Sequence, residues 1–282
     1  MRFMSISARL FLACAMSAAV LAGCVTNAET SVPQTTTAAA VAATADTATI
    51  DTATADTAAN GTAPAADESA PGVHLIKIEP MLQDELESGC EIYAAVTLLD
   101  FYGYEADAQD FSQNYIPVRE NYSDGCGYYG PDLYSAFAGE PEFGYGAYAP
   151  VLTNAINDYL GDNDSDDRAE TVYGLTLGGL CEKYISRGMP VMVWITTDME
   201  LPEEFISWTV DYADGNAKTE VGDEFSWPVN EHCMLLTGYD DENFCFADSL
   251  DAATVWYERE QCESVFAEMG SQAVVLLHPT ED

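Results

Sequence analysis

The stretch ELESGCEIYAAVTLLDFYGY, residues 85–104, predicts the first helix of the folded part of this chain. Its SGCE segment at 88–91 has the form of a capping box, in which the Ser88 hydroxyl accepts from the amide of Glu91 while the Glu91 side chain reaches back to Ser88. Apolar residues then recur at helical spacing until a glycine provides the stop. We therefore expect a helix over residues 89–102 that is buried along one face.

Cys90 is the candidate nucleophile on this helix. A cysteine at the second helical position lies beside unpaired amides and the positive end of the helix dipole, which stabilise a thiolate. The structural alternative is that Cys90 is a small residue that allows close packing after Gly89. The helix alone leaves both interpretations open.

The beginning of the chain predicts a lipoprotein signal peptide. Two arginines flank an apolar run at 10–20, which is too short to span a bilayer and is followed by the box LAGC at 21–24. We expect residues 1–23 to be removed and Cys24 to carry a thioether lipid. This lipid is expected to anchor the protein to the bacterial cell membrane, with the folded domain facing outward. An ordinary signal peptide cut elsewhere is the alternative.

Residues 24–71 predict a flexible tether. They are mostly Ala, Thr and Asp, and the segment ATADTA occurs at 43–48 and again at 53–58. Such a segment has little to bury and should stay disordered. Residues 72–282 then form one domain, which is long enough to bury a sizeable core.

The chain is strongly acidic, with 48 acidic and 9 basic residues and a formal net charge of -39. Nucleic acid and anionic lipid headgroups are therefore poor partners, so the membrane is approached through the N-terminal lipid only. The simplest explanation of this negative charge is a well-solvated surface on a secreted protein. A preference for cationic peptides is the weaker alternative.

Six cysteines lie in the predicted domain: Cys90, Cys126, Cys181, Cys233, Cys245 and Cys262. Outside the cytoplasm an even set suggests disulfides, whose pairing the sequence leaves open. If Cys90 remains a free thiol, at least one other cysteine is unpaired. The chain has no CxxC pair and its three histidines are far apart, so we expect neither a metal nor an organic cofactor.

The rest of the domain predicts helices first and strands afterwards. Tyr- and Gly-rich loops are expected at 104–145, and helices at 148–160 and 176–187. Strands are expected at 190–197, 231–239, 243–248 and 272–278. This order of elements predicts an α+β fold with an antiparallel sheet.

His232 is the best-placed partner for Cys90, because it opens an apolar strand where a side chain can emerge at the edge of a sheet. His74 and His278 lie near the ends of the domain and are expected to be incidental. A tight turn centred near 240–241 makes the second and third strands a hairpin. Asp248 then falls opposite position 233, beside His232 on the neighbouring strand.

Gln83 lies seven residues before Cys90, in the loop that leads to the helix. Its amide and the backbone N–H of Cys90 can together donate to the oxyanion of an acyl-transfer reaction. The alternative is a surface glutamine. The order of Gln83, Cys90 at a helix start, His232 at a strand start and Asp248 at the next strand end is a papain-type arrangement.

Five separated segments of the domain, in order along the chain, resemble the C-thirty-nine-like cysteine peptidase domain. They are LQDELESGCEIYAAVTLLDFYGY, FGYGAYAPVLTNAINDYL, RGMPVMVW, EHCMLLTGYDDENFCFADSL and GSQAVVLL. Relatives of this family are the peptidase domains of bacteriocin exporters, which cut leader peptides after a double glycine. The likeness covers residues 75–278 and implies a papain-like fold, in which the helix carrying the cysteine packs on an antiparallel sheet carrying the His and the Asp.

The resemblance implies roles for four residues. Cys90 is the nucleophile, His232 the general base and then acid, Asp248 its orienting partner, and Gln83 a donor of the oxyanion hole. Members commonly show Leu-Pro-Thr before Gly-Cys-Glu, where this chain has LES at 86–88, and Asp-Pro where a serine follows Asp248. Neither departure removes a catalytic group.

The expected activity is cleavage of a peptide or protein substrate through an acyl-enzyme on Cys90. Leader-peptide processing does not transfer, because this domain is expected on a lipid anchor and not on a transporter. One alternative is an amidase or endopeptidase of cell-wall peptide, since the tether keeps the domain near the wall. The other is a binding module without turnover that uses the Tyr-rich loops at 122–148.

Overall fold

The computed structural model describes residues 72–279, so the predicted signal peptide, Cys24 and the tether up to residue 71 lie outside the described range. Five α-helices occur within it: α1 Cys90–Phe101, α2 Ala108–Tyr115, α3 Ala149–Asp162, α4 Leu177–Lys183 and α5 Arg259–Glu268. Short 3-10 helices lie at Ile185–Arg187 and Thr197–Met199. None of the helices between residues 72 and 279 is long and apolar enough to cross a membrane.

Thirteen strands occur in the same range. Those before α3 are β1 His74–Leu75, β2 Val118–Arg119, β3 Tyr122–Ser123, β4 Tyr128–Pro131 and β5 Phe137–Ala138. Those after it are β6 Arg168–Tyr173, β7 Val191–Thr196, β8 Phe205–Tyr212, β9 Glu224–Pro228, β10 Glu231–Tyr239, β11 Asn243–Asp248, β12 Ala253–Glu258 and β13 Gln272–Leu277.

The main sheet has seven strands, and all of its strand pairs are antiparallel. Its order is β12-β11-β10-β7-β13-β6, and β1 pairs with the far end of β10. A smaller sheet, β3-β4-β8-β9, and the short β2-β5 pair accompany it. The α+β class with an antiparallel sheet is therefore confirmed.

Helix α1 packs against β10 and β7, and α5 packs against β7, β11 and β12. The expectation of one buried face on α1 was wrong, because every residue from Cys90 to Leu99 is buried. A helix that is covered on all sides belongs to the core. The start of α1 is thus held against the beginning of β10, where His232 lies.

Apolar periodicity predicted most of the elements around the site. The helices expected at 89–102, 148–160 and 176–187 correspond to α1, α3 and α4 with the 3-10 helix that follows it. The four expected strands are β7, β10, β11 and β13. These elements all contain runs of apolar residues that are buried in the core.

The expectation of loops alone between 104 and 145 was wrong, because α2 lies there together with four short strands. Phe111 and Ser112 are the buried residues of α2, so its apolar pattern is weak. Its clearest sequence signal is Asp107, whose carboxylate accepts from the amide of Asp110 at the start of the helix.

The expected disulfides do not form among the described residues. All six cysteines between residues 72 and 279 are free thiols; five are buried and Cys126 is exposed. The thiol of Cys90 is therefore not consumed by a cross-link.

A β-bulge in the β10–β11 hairpin decides which side chains share a face. Leu235 pairs with Ala247, but beyond Leu236 the register shifts by one residue. Continued by one step, the register of Leu235 and Ala247 places Asp248 opposite position 234, so the expected register, with Asp248 opposite position 233, was wrong by one residue. Because strand residues alternate between faces, this shift puts Asp248 on the face of His232.

Gly238 permits the close approach of β1 to β10 directly after this bulge. A Cβ at this position would lie 2.5 Å from the carbonyl oxygen of His74 in β1, and backbone cannot yield as a flexible side chain does. We expect Gly238→Ala to lower the free energy of unfolding by about 1–3 kcal/mol, because the substituted side chain overpacks a strand contact. Urea denaturation followed by circular dichroism measures this change.

Gly215→Ala is the matched control for this substitution, because a Cβ at position 215 would meet no atom within 4 Å. Its effect should stay within about 0.5 kcal/mol. Equal stability of the two variants would contradict the role given to Gly238.

Candidate active site

His232 and Asp248 form a buried pair at the start of β10 and the end of β11. The Nε2 atom of His232 lies 2.9 Å from Oδ1 of Asp248, and the same oxygen accepts from the amide of Leu250 at 2.9 Å. Both side chains are buried. The structure thus brings together two of the predicted site residues.

The contact between His232 and Asp248 determines the charge of Asp248 and the tautomer of His232. Burial alone would raise the pKa of Asp248, but the hydrogen bond and charge of His232 and the amide of Leu250 outweigh it and hold the pKa below its usual value. Asp248 is therefore an anion that accepts from Nε2–H. Nδ1 of His232 is then the ring nitrogen that has no hydrogen bond within residues 72–279.

The capping box predicted at the start of α1 was wrong. Gly89 is the N-cap residue, and no side chain caps the helix. The Ser88 hydroxyl donates instead to the carbonyl oxygen of Gly144 at 3.0 Å. A Cβ on Gly89 would lie 2.8 Å from the Cβ of Leu86, so this position requires the close approach that only glycine allows.

Glu91 points into the core beside Cys90. Its Oε1 accepts from the amide of Ala147 at 2.7 Å, and its Oε2 accepts from the Cys90 thiol at 3.3 Å. Burial raises the pKa of Glu91 to about 7, against the hydrogen bonds that favour its charged form. A residue expected to cap a helix is therefore part of the candidate site.

Glu231 is a second buried carboxylate that sequence reasoning missed. It opens β10 directly before His232, and its pKa is raised well above the usual value by burial and by the charge of Glu91. The ligand atoms of Cys90, Glu91 and Glu231 all lie within 4.8 Å of one another. A glutamate in an otherwise apolar buried strand was the one signal in the sequence that could have indicated it.

Cys90 is a neutral thiol in this arrangement. Its pKa is raised well above the usual value by burial and by Glu91, Glu231 and Cys233, although the backbone amide of Cys233 favours the thiolate. This outcome contradicts the expectation that the helix start stabilises a thiolate, because desolvation and two carboxylates exceed the effect of the dipole.

The sulfur of Cys90 lies beside the backbone amide of Cys233, the residue that follows His232 in β10. The ladder between β10 and β11 begins at Leu235, whereas residues 231–234 pair with β7. No hydrogen bond joins Cys90 to His232 in the described part of the chain, since the thiol donates to Glu91.

Gln83 braces the loop before α1. Its Nε2 donates to the carbonyl oxygens of Leu86 at 3.1 Å and Glu87 at 2.8 Å, and its Oε1 accepts from the Ser249 hydroxyl at 3.1 Å. The backbone of Gln83 also donates to the carbonyl of Ser249 at 2.8 Å. The residue therefore connects the loop before Cys90 to the residue after Asp248.

A test of the state of Cys90 is its alkylation by iodoacetamide in the folded chain at about pH 8, near the pKa of a free thiol. Only the thiolate reacts, so we expect Cys90 to react much more slowly than the exposed Cys126. Peptide mapping by mass spectrometry gives the rate at each cysteine. In urea the two rates should become similar, and a folded-state rate at Cys90 above that at Cys126 would show that its thiol is ionised.

The comparisons with known proteins agree on the class to which this α+β domain belongs. The Peptidase_C39 like family matches residues 75–274, and the chain belongs to that family. Membership in a family of C39-like peptidases suggests peptidase activity and, with Cys90 in the matched region, a cysteine peptidase.

Two individual proteins resemble this chain at low identity. The uncharacterized protein YvpB of Bacillus subtilis (strain 168) is 25% identical over 210 residues, which cover 74% of this chain and 76% of that protein. The crystal structure of a Bacillus anthracis protein assigned as a C39-like peptidase has a TM-score of 0.57 and 25% identity, and the match covers 71% of this chain and 94% of that one.

Proposed function

We propose that the protein is a cysteine peptidase that cleaves a peptide bond through an acyl-enzyme on Cys90, in a papain-like arrangement with His232 and Asp248. The observation that carries the proposal is the buried His232–Asp248 pair. The residue that follows His232 is Cys233, whose backbone amide contacts the sulfur of Cys90. Membership in the C39-like family supports it.

The reaction begins with a proton transfer. In the resting protein the thiol of Cys90 donates to Glu91, so attack on a substrate requires the thiol to turn toward Nδ1 of His232. The sulfur then forms a bond to the scissile carbonyl carbon as its proton passes to Nδ1. His232 gives this proton to the leaving amine, and later activates the water that hydrolyses the acyl-enzyme.

Asp248 keeps His232 in the orientation and tautomer that this cycle needs. As an anion it stabilises the imidazolium that forms when Nδ1 takes the proton. Because Asp248 also accepts from the amide of Leu250, its carboxylate is fixed by two donors. The serine that follows Asp248 holds Gln83, so the same corner supports the loop before Cys90.

The backbone N–H of Cys90 is the first donor for the oxyanion. It belongs to the first residue of α1, so no carbonyl within the helix accepts from it. Gln83 is the second donor of the proposal, and it must release the carbonyl of Leu86 or Glu87 to serve there. Binding of a substrate carbonyl would replace one of these two contacts.

The substrate is a peptide or protein outside the cytoplasm, reached by a domain that Cys24 anchors through lipid and a tether. Peptide bonds of the cell wall are the alternative substrate, because the anchor places the domain near the wall. Part of the Tyr-rich loops is packing and not binding surface, since Tyr134 and Tyr148 are buried and Tyr128 bonds Tyr145 through their hydroxyls at 2.7 Å.

Cleavage of a fluorogenic peptide library and of purified peptidoglycan tests the proposed activity. We expect Cys90→Ala and His232→Ala each to reduce turnover by about a thousandfold or more, because nucleophile and base act as one unit. Cys245→Ser is the matched control: Cys245 is a buried cysteine of β11 outside the site, and its variant should keep turnover once circular dichroism shows that it is folded. Turnover that survives Cys90→Ala would falsify the proposal.

The proposed catalytic role of Gln83 can be tested separately from its role in stabilising the loop before α1. If it donates to the oxyanion, Gln83→Ala should lower kcat by about a hundredfold or more with a smaller change in KM. Ser249→Ala is the matched control, because it removes the hydroxyl that holds Oε1 of Gln83 and leaves the amide donors in place. If both variants have the same kcat and a lowered melting temperature, Gln83 is only a brace.

A further inference from the structure

We propose that Cys90, Glu91 and Glu231 bind one divalent transition-metal ion of the Zn2+ type, and that the bound ion withdraws Cys90 from reaction. The sequence did not predict this site, because its ligands come from the start of α1 and the start of β10 and show no metal-binding spacing.

The distances suit a common ion. One ligand atom of each of the three residues lies within 4.8 Å of the other two. Sulfur and oxygen ligands bound to zinc at about 2.0–2.3 Å in a tetrahedron are roughly 3.3–3.8 Å apart. Small side-chain rotations therefore bring the three groups onto one ion.

An independent observation is the buried carboxyl group of Glu231. Its Oε1 is fully buried and has no hydrogen-bond partner within residues 72–279. Glu231 is only 9% exposed, so water reaches little of it. Glu91, by contrast, accepts from Ala147 and from Cys90. Burying a carboxylate without a donor or a cation is costly, so Glu231 points to a ligand that is positively charged.

No protein cation supplies this charge. Within residues 72–279, the ion pairs of the structure include none with Glu91 or Glu231. A divalent cation would neutralise both carboxylates at once and give Glu231 the partner that the protein does not.

The ligand types select a borderline-soft ion. Mg2+ and Ca2+ bind through oxygen only, whereas Zn2+ accepts thiolate and carboxylate together. Three protein ligands leave the fourth tetrahedral position to water or to a substrate group. Cys90 and Glu231, which retain slight exposure, give the ion its route from solvent.

Binding of the ion balances without a redox step. The S–H bond of Cys90 breaks, its proton and the protons held by the Glu91 and Glu231 carboxyl groups pass to the buffer, and one sulfur–metal and two oxygen–metal bonds form. The sulfur lone pair is then committed to the ion and cannot attack a carbonyl carbon. A chelator reverses the process. The site requires its three ligands and not His232, so it stands or fails independently of the proposed peptidase activity.

Titration of the purified full chain with Co2+, a spectroscopic substitute for Zn2+, tests the proposal. All proteins carry Cys126→Ser, because Cys126 is an exposed thiol that can bind metal on its own. We expect a near-ultraviolet charge-transfer band from thiolate to cobalt, and equilibrium dialysis should give one Zn2+ per chain. Cys90→Ser should abolish the band, and Glu231→Gln should weaken binding about tenfold or more.

Glu224→Gln is the matched control, because Glu224 is an exposed glutamate at the start of β9. This variant and His232→Ala should bind cobalt as the parent does, although His232→Ala should lose peptide cleavage. If circular dichroism shows that Glu231→Gln is unfolded, Glu91→Gln takes its place, and the stoichiometry of the parent remains decisive.

Three results would overturn the proposal. They are the absence of a thiolate band in the parent, a band that persists in Cys90→Ser, and equal affinities for Glu231→Gln and Glu224→Gln. A parent that cleaves peptides but binds no metal sinks the metal site alone, whereas one that binds metal but cleaves nothing after a chelator has removed the ion sinks the peptidase alone.

Discussion

The candidate site depends on the bulge that shifts the β10–β11 hairpin by one residue. In a regular hairpin with the predicted register, Asp248 would lie on the opposite face of the sheet from His232. One extra residue reverses that relation, since neighbouring strand positions face opposite sides. The pair at 2.9 Å, the tautomer of His232 and the support of Gln83 by Ser249 all follow from this local irregularity.

Elements with strong apolar periodicity were predictable from the sequence, and elements at the margin of the core were not. α1, β7 and β10 are almost entirely buried and α3 buries an apolar face, so their residue patterns reflect their packing directly. α2 buries few residues, and β12 alternates half-buried and exposed positions. Such elements are formed by contacts with the rest of the fold, which a local pattern does not contain.

The same division holds within the site. His232 and Asp248 are close in sequence on one hairpin, so their meeting could be foreseen, though not the register that achieves it. Glu91 was assigned to a local cap, but the amide of Ala147, 56 residues away, takes its carboxylate instead. The ionisation of Cys90 was misjudged for a related reason: the helix dipole is visible in sequence, whereas burial and Glu231 are properties of the assembled core.

Ala147 connects these parts through its backbone. Its N–H donates to Glu91, and its carbonyl accepts from Nε1 of Trp194 in β7 at 2.9 Å. The preceding Gly146 has no room for a side chain, because a Cβ would lie 2.5 Å from Oε1 of Glu91. This connection is therefore not an exchangeable surface loop: insertions or grafted sequences that the chain can accommodate at open turns such as Gly215 would here displace the wall of the cysteine site.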